Sequence, residues 1–139
     1  MKFNFSIKTL ALVSAMGMGM LAPVSADDET PLGKEMEIIS GSLKKLRKAE
    51  TTEEKVALLH AAQSATVKGL SYLPVIFKDI KDEEEKKKAT ADYKKMTGEL
   101  YVKLCELEMA YLDGDEAKAD EIKTQLKDLK KEGHRKYTD

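Results

Sequence analysis

Leu32, Met36, Ile39, Leu43 and Leu46 follow one another at spacings of four, three, four and three residues. An α-helix turns about 100° per residue, so this spacing draws one apolar stripe along a single helix face. A strand would need apolar residues at alternate positions, and no such alternation recurs along the chain. The helical period returns in three later segments, so the expected fold class is all-α.

Local signals divide the chain. Thr30 reads as an N-cap with Pro31 at the first helical position. A capping box, Thr51-x-x-Glu54, opens a second helix that carries Val56, Leu59, Ala62, Val67 and Leu70 toward Pro74, which stops it. A third helix is expected from about Asp82, with Glu83, Glu84 and Glu85 at the positive end of its dipole. Its stripe is Tyr93, Met96, Leu100, Leu104, Leu107 and Tyr111. After the tight turn Asp113-Gly114-Asp115, a fourth helix carries Ile122, Leu126 and Leu129 onward to His134. Short turns at 49–51 and 113–115 make two hairpins, and the assembly they imply is an antiparallel up-down-up-down four-helix bundle. The connector 71–82, SYLPVIFKDIKD, is too apolar for a solvated loop. It reads as a lid over one end of the bundle, as the wall of a ligand pocket, or as both.

The first 26 residues read differently from the rest. Lys2 and Lys8 give a basic start, an uncharged run spans 9–22, and Pro23 precedes the small residues Val24, Ser25 and Ala26. That pattern is a cleavable signal peptide over 1–26, too short and wrongly flanked for a membrane span. Residues 27–139 then form a single exported domain. Cleavage leaves 22 basic and 25 acidic residues in 113, with neither sign gathered into a block. Such a balance offers no electrostatic footprint for nucleic acid, and no second apolar stretch holds the domain in a membrane.

Cys105 is the only cysteine, so the domain has no internal disulfide and depends on packing, a ligand or a partner. The chain has no Cys-x-x-Cys-His for covalent haem, no clustered zinc ligands, no Gly-rich phosphate loop and no Gly-x-Ser-x-Gly. The expectation is a protein that is not an enzyme.

Two residues stand out. In the expected topology Met36, near the start of helix 1, and His134, near the end of helix 4, lie at the same bundle end under the connector. His134 is displaced by about 80° from the stripe through Leu126, at the edge of the buried face. A thioether and a neutral imidazole together suit the axial positions of haem iron, and with both filled the chemistry is one-electron transfer. Each residue also has an ordinary reading. A methionine on an apolar stripe packs a core, and a histidine at a helix terminus caps it. Periodicity yields a bundle and does not select a cofactor.

The domain resembles soluble periplasmic cytochrome b-562 across nearly all of residues 27–139. The likeness is best in LGKEMEIISGSLKKLRKAE and in DGDEAKADEIKTQLKDLKKEGHRKYTD. The resemblance implies a four-helix-bundle cytochrome domain in the periplasm that binds one non-covalent haem b. It implies Met36 and His134 as axial ligands of the iron, with Tyr93 and Lys130 in the pocket. The family's arginine one turn before the histidine is Lys130 here, its terminal arginine is Thr138, and the second of its two ring-packing aromatics is Thr97. The implied partner is a redox protein of unknown identity, with no nucleic acid and no membrane, and the expected state is a monomer. The alternative is a haem-free periplasmic bundle acting as an interaction or stress-related binding module, with 71–82 as its apolar contact.

Overall fold

The computed structural model describes residues 29–138. The signal-peptide reading of 1–26 lies outside them. Four helices and no strand occur among the described residues: α1 (Pro31–Leu46), α2 (Thr52–Gly69), α3 (Glu83–Leu112) and α4 (Glu116–Tyr137), with one short 3-10 turn at Val75–Asp79. None of the helices is long and apolar enough to cross a membrane.

Helix starts follow the side-chain chemistry. The Thr30 hydroxyl accepts from Gly33 N at 2.9 Å, with Pro31 at the first helical position. The Thr51 box closes in both directions: Glu54 N donates to Thr51 Oγ1, and Glu54 Oε2 accepts from Thr51 N. Asp82 caps α3 through Glu85 N, and Asp115 caps α4 through Lys118 N. Gly114, at φ +68°, takes the left-handed conformation that lets α3 turn into α4 without a β-carbon penalty.

Packing is between consecutive helices: α1 with α2, α2 with α3, and α3 with α4. The core runs through Ile39 and Leu46 of α1, Leu59, Ala62 and Ala65 of α2, Leu104, Leu107 and Tyr111 of α3, and Ile122 and Leu126 of α4. The expected stripes of α1 and α3 hold. In α2 the buried face is Leu59, Ala62, Ala65 and Thr66, and Val67, expected on the stripe, is exposed. One step of about 100° from Thr66 carries Val67 off the buried face. The helix also ends at Gly69, five residues before Pro74, where Tyr72 N turns back onto Gly69 O.

Side-chain bonds tie helices distant in sequence. The Lys55 ammonium lies 4.7 Å from the Tyr111 ring centroid and pairs with Glu116 at 3.3 Å. Further along α2, His60 Nε2 lies 2.7 Å from Glu108 Oε1, and Gln63 donates to Glu108 Oε2 at 2.7 Å. The Gln63 bond, followed by the His60 contact, holds the Glu108 carboxyl below its ordinary pKa. Thus His60, an otherwise isolated histidine on α2, is a surface residue satisfied by a carboxylate.

Candidate functional site

The connector 71–82 buries Pro74 and Phe77. Phe77 is buried and meets Tyr93 of α3 and Tyr137 of α4 edge-on, at centroid distances of 6.0 and 5.5 Å. Tyr93 and Tyr137 themselves meet at 5.4 Å and 88°, so the three rings close a triangle. Edge-to-face pairs at these separations are attractive beyond the area they bury. The lid reading of the connector therefore has a definite anchor.

Around the triangle lie polar groups. The Tyr137 hydroxyl donates to Asp92 Oδ2, and Lys136 Nζ donates to the same oxygen at 3.2 Å. These bonds, the tyrosine's first, hold the Asp92 carboxyl below its ordinary range. Conversely, burial and then the Asp92 carboxylate push the Tyr137 hydroxyl well above its ordinary value. The Tyr93 hydroxyl is buried without a well-formed hydrogen bond among the described residues, and burial raises its pKa, partly opposed by the nearby Thr97 hydroxyl. Thr97, also buried, spends its own hydroxyl on Tyr93 O at 2.9 Å.

Met36 sits half-buried against the core, on the expected face of α1. Its methyl lies over Gly69, the last residue of α2, where a β-carbon would meet Leu32 Cδ1 at 3.6 Å and Met36 Cε at 3.9 Å. On α4, a β-carbon at Gly133 would meet Met96 Cε at 3.7 Å. At both places a β-carbon would stand at ordinary contact distance from a methionine methyl. His134, next to Gly133, is exposed, and among the described residues its imidazole has no hydrogen-bond or ion-pair partner. The helix continues past Gly133 to Tyr137, with the His134 carbonyl accepting from Thr138 N and Oγ1.

Met36 packs against the core and His134 is exposed, and a side-chain bond ties their helices near them. Lys130 Nζ donates to Ser40 Oγ at 3.1 Å. Ser40 is one turn along α1 from Met36, and Lys130 is one turn back along α4 from His134. The α1–α4 seam is otherwise thinner than those between consecutive helices. A thioether and an imidazole are donor types that iron accepts, and here they stand on α1 and α4, one turn from the Lys130–Ser40 bond. One surface groove lies by the α3–α4 turn at Lys103, Met109, Ile122 and Gln125, and another on α1–α2 at Ile38, Leu58 and Ser40, the residue bonded to Lys130. Among the described residues no cluster of His, Cys, Asp and Glu is disposed to hold a metal ion on its own.

Sequence reasoning did not find the Asp92–Tyr137 bond or the three-ring triangle. Asp92 and Tyr137 are 45 positions apart, and no local spacing links them. The apolarity of 71–82 was the only signal that Phe77 would be buried. No family model matches this chain, and no curated protein matches it closely enough to count as a relative.

Proposed function

We propose that this chain is an exported one-electron carrier of the cytochrome b-562 type, an antiparallel up-down-up-down bundle with Met36 and His134 as axial ligands of one haem b. The observation that carries the reading is the Lys130–Ser40 hydrogen bond, which ties α1 to α4 one turn from each of these residues. The unengaged imidazole of His134 and the half-buried thioether of Met36 support it.

When bound, haem would supply reversible one-electron chemistry, with Met36 and His134 as the residues that would hold its iron. The chain's residues divide the remaining work. Met36 offers a soft donor that raises the reduction potential. His134 offers a neutral ring nitrogen, and its second nitrogen is free to take a carbonyl or carboxylate that fixes the tautomer. Lys130 is a mobile point charge suited to a propionate, without the fork of an arginine. Tyr93 and Phe77 supply aromatic surface that keeps water from this end. The signal sequence over 1–26 directs the domain to the periplasm.

The deciding experiment is an optical spectrum of protein purified from a haem-replete periplasm, oxidised and then reduced with dithionite. A sharp Soret band with resolved α and β bands, lost together in Met36→Ala and in His134→Ala while both stay helical, bears the proposal out. Protein that stays colourless with excess hemin rejects it.

A second reading is a haem-free bundle that acts as a binding module. The rings of Phe77, Tyr93 and Tyr137 already fill space at this end, and His134 is exposed. On that reading the two alanine variants alter stability alone.

A further inference from the structure

The chain has five tyrosines and no tryptophan, so its phenols are the rings from which a one-electron oxidant can draw. A phenol that loses an electron becomes a very strong acid. The loss is easy where a base takes the proton at the same time, and a base serves when it lies within hydrogen-bond reach. Among the described residues, Tyr137 alone has a carboxylate in that place: its hydroxyl donates to Asp92 Oδ2.

The other four tyrosines are placed differently. Tyr93 is 6% exposed, with the Thr97 hydroxyl near its own. An electron taken from it would leave an unpaired charge in the core. The Lys55 ammonium stands 4.7 Å from the ring centroid of Tyr111, and a cation over a ring holds its electrons in. Tyr72 and Tyr101 are exposed, and no carboxylate is bonded to either hydroxyl among the described residues. Tyr137 is half-buried, and its ring meets that of Tyr93 at 5.4 Å. A hole formed on the buried ring can therefore pass to Tyr137, where the proton can leave.

Asp92 is suited to the exchange. Lys136 Nζ donates to the same carboxylate oxygen at 3.2 Å and pairs with Glu132 at 3.3 Å. The ammonium keeps Asp92 ionised, and hence ready to accept. It also makes the acid, once formed, hold its proton weakly. Such an acid gives the proton back when the electron returns.

We propose that Tyr137 is a redox-active tyrosine that quenches diffusible one-electron oxidants, of the class of small oxygen- or nitrogen-centred radicals, with Asp92 as its proton acceptor. Tyr137 gives one electron to the radical, which leaves as its anion. The phenolic O–H bond breaks and the proton passes to Asp92 Oδ2, leaving a neutral phenoxyl beside a carboxylic acid. A thiolate or enediolate reductant returns the electron, and Asp92 returns the proton. The site uses the chain's own side chains and does not rest on haem binding.

Flash photolysis tests it on the full processed chain, freed of any haem and carrying Cys105→Ser so that no thiol competes. The oxidant is photogenerated tris-bipyridine ruthenium(III), an outer-sphere acceptor of one electron. The expected product is a single tyrosyl radical, seen by absorption and by EPR after freezing, and formed more slowly in deuterated water. Tyr137→Phe keeps the ring and loses that signal, whereas Tyr72→Phe, Tyr93→Phe and Tyr101→Phe retain it. Asp92→Asn keeps a hydrogen-bond acceptor but no base, and slows the oxidation more than about tenfold with circular dichroism unchanged. An unchanged signal in Tyr137→Phe overturns the proposal, as does an Asp92→Asn rate equal to that of the parent chain. A radical spread over the exposed tyrosines overturns it too. Since no haem is present, none of these outcomes bears on the haem reading.

Discussion

Lys130 on α4 donates to Ser40 on α1 at 3.1 Å, across a sequence separation of 90 residues. Few other contacts join these two helices, so this bond is a direct side-chain link between the chain's first and last helices. Both residues are exposed, which limits what the bond contributes to stability.

Lys130→Met removes the bond and keeps much of the aliphatic stem. The apo protein should lose less than about 1 kcal/mol in urea unfolding, the usual worth of an exposed polar contact. On the haem proposal the same change weakens hemin binding several-fold, read by Soret titration. A loss of several kcal/mol in the apo protein would show that the α1–α4 seam depends on this bond alone.

Phe77→Ala should destabilise the protein by about 3 kcal/mol, the lower end for a buried phenylalanine because the connector can partly collapse into the space. Amide exchange at 71–82 should quicken more than exchange in the helices. Uniform quickening over all four helices would mean the connector belongs to the global core.

The Asp92–Tyr137 contact carries a pH signature. Its folded carboxyl lies below the ordinary 3.8, held there first by the Tyr137 hydroxyl and then by Lys136. A carboxyl with a lowered pKa stabilises the fold fully above its unfolded value and loses that contribution as pH falls through the folded one. The stability gap between wild type and Asp92→Asn should therefore be constant near neutrality and shrink below about pH 4. Chemical denaturation at a series of pH values measures it. A gap that widens on acidification would reverse the assignment.

Leu104 is fully buried where α3 meets the rest of the core. Leu104→Ala should cost about 3–4 kcal/mol in urea unfolding with an unchanged denaturant slope. A cost below about 1 kcal/mol would mean that the surrounding helices close the cavity.

Much of this fold could be read locally. Thr30, Thr51, Asp82 and Asp115 each cap the helix they precede, and the stripes of α1 and α3 follow from spacing alone, because both are short-range effects. Val67 defeated the same logic: α2 is bounded by small buried residues, Ala62, Ala65 and Thr66, so apolarity alone misplaced its face. His134 was expected at the edge of the buried face and is exposed, since Gly133 is the residue of that turn directed at Met96. The Phe77 triangle could not be read at all beyond its apolarity. Its members come from the connector, α3 and α4, and only the assembled bundle brings them together.

That triangle also says something about the order in which the chain folds. Phe77 meets Tyr93 across 16 positions but Tyr137 across 60, and Tyr93 meets Tyr137 across 44, so both contacts to Tyr137 close longer loops than the contacts near the turns of the hairpins. Closing the longer loop costs more chain entropy before any contact repays it. The aromatic clasp should form on the downhill side of the folding barrier, with φ-values near zero at Phe77 and Tyr137 against larger ones within the hairpins. A clasp made last is also released first. Its loss should speed unfolding while leaving the rate of folding nearly untouched.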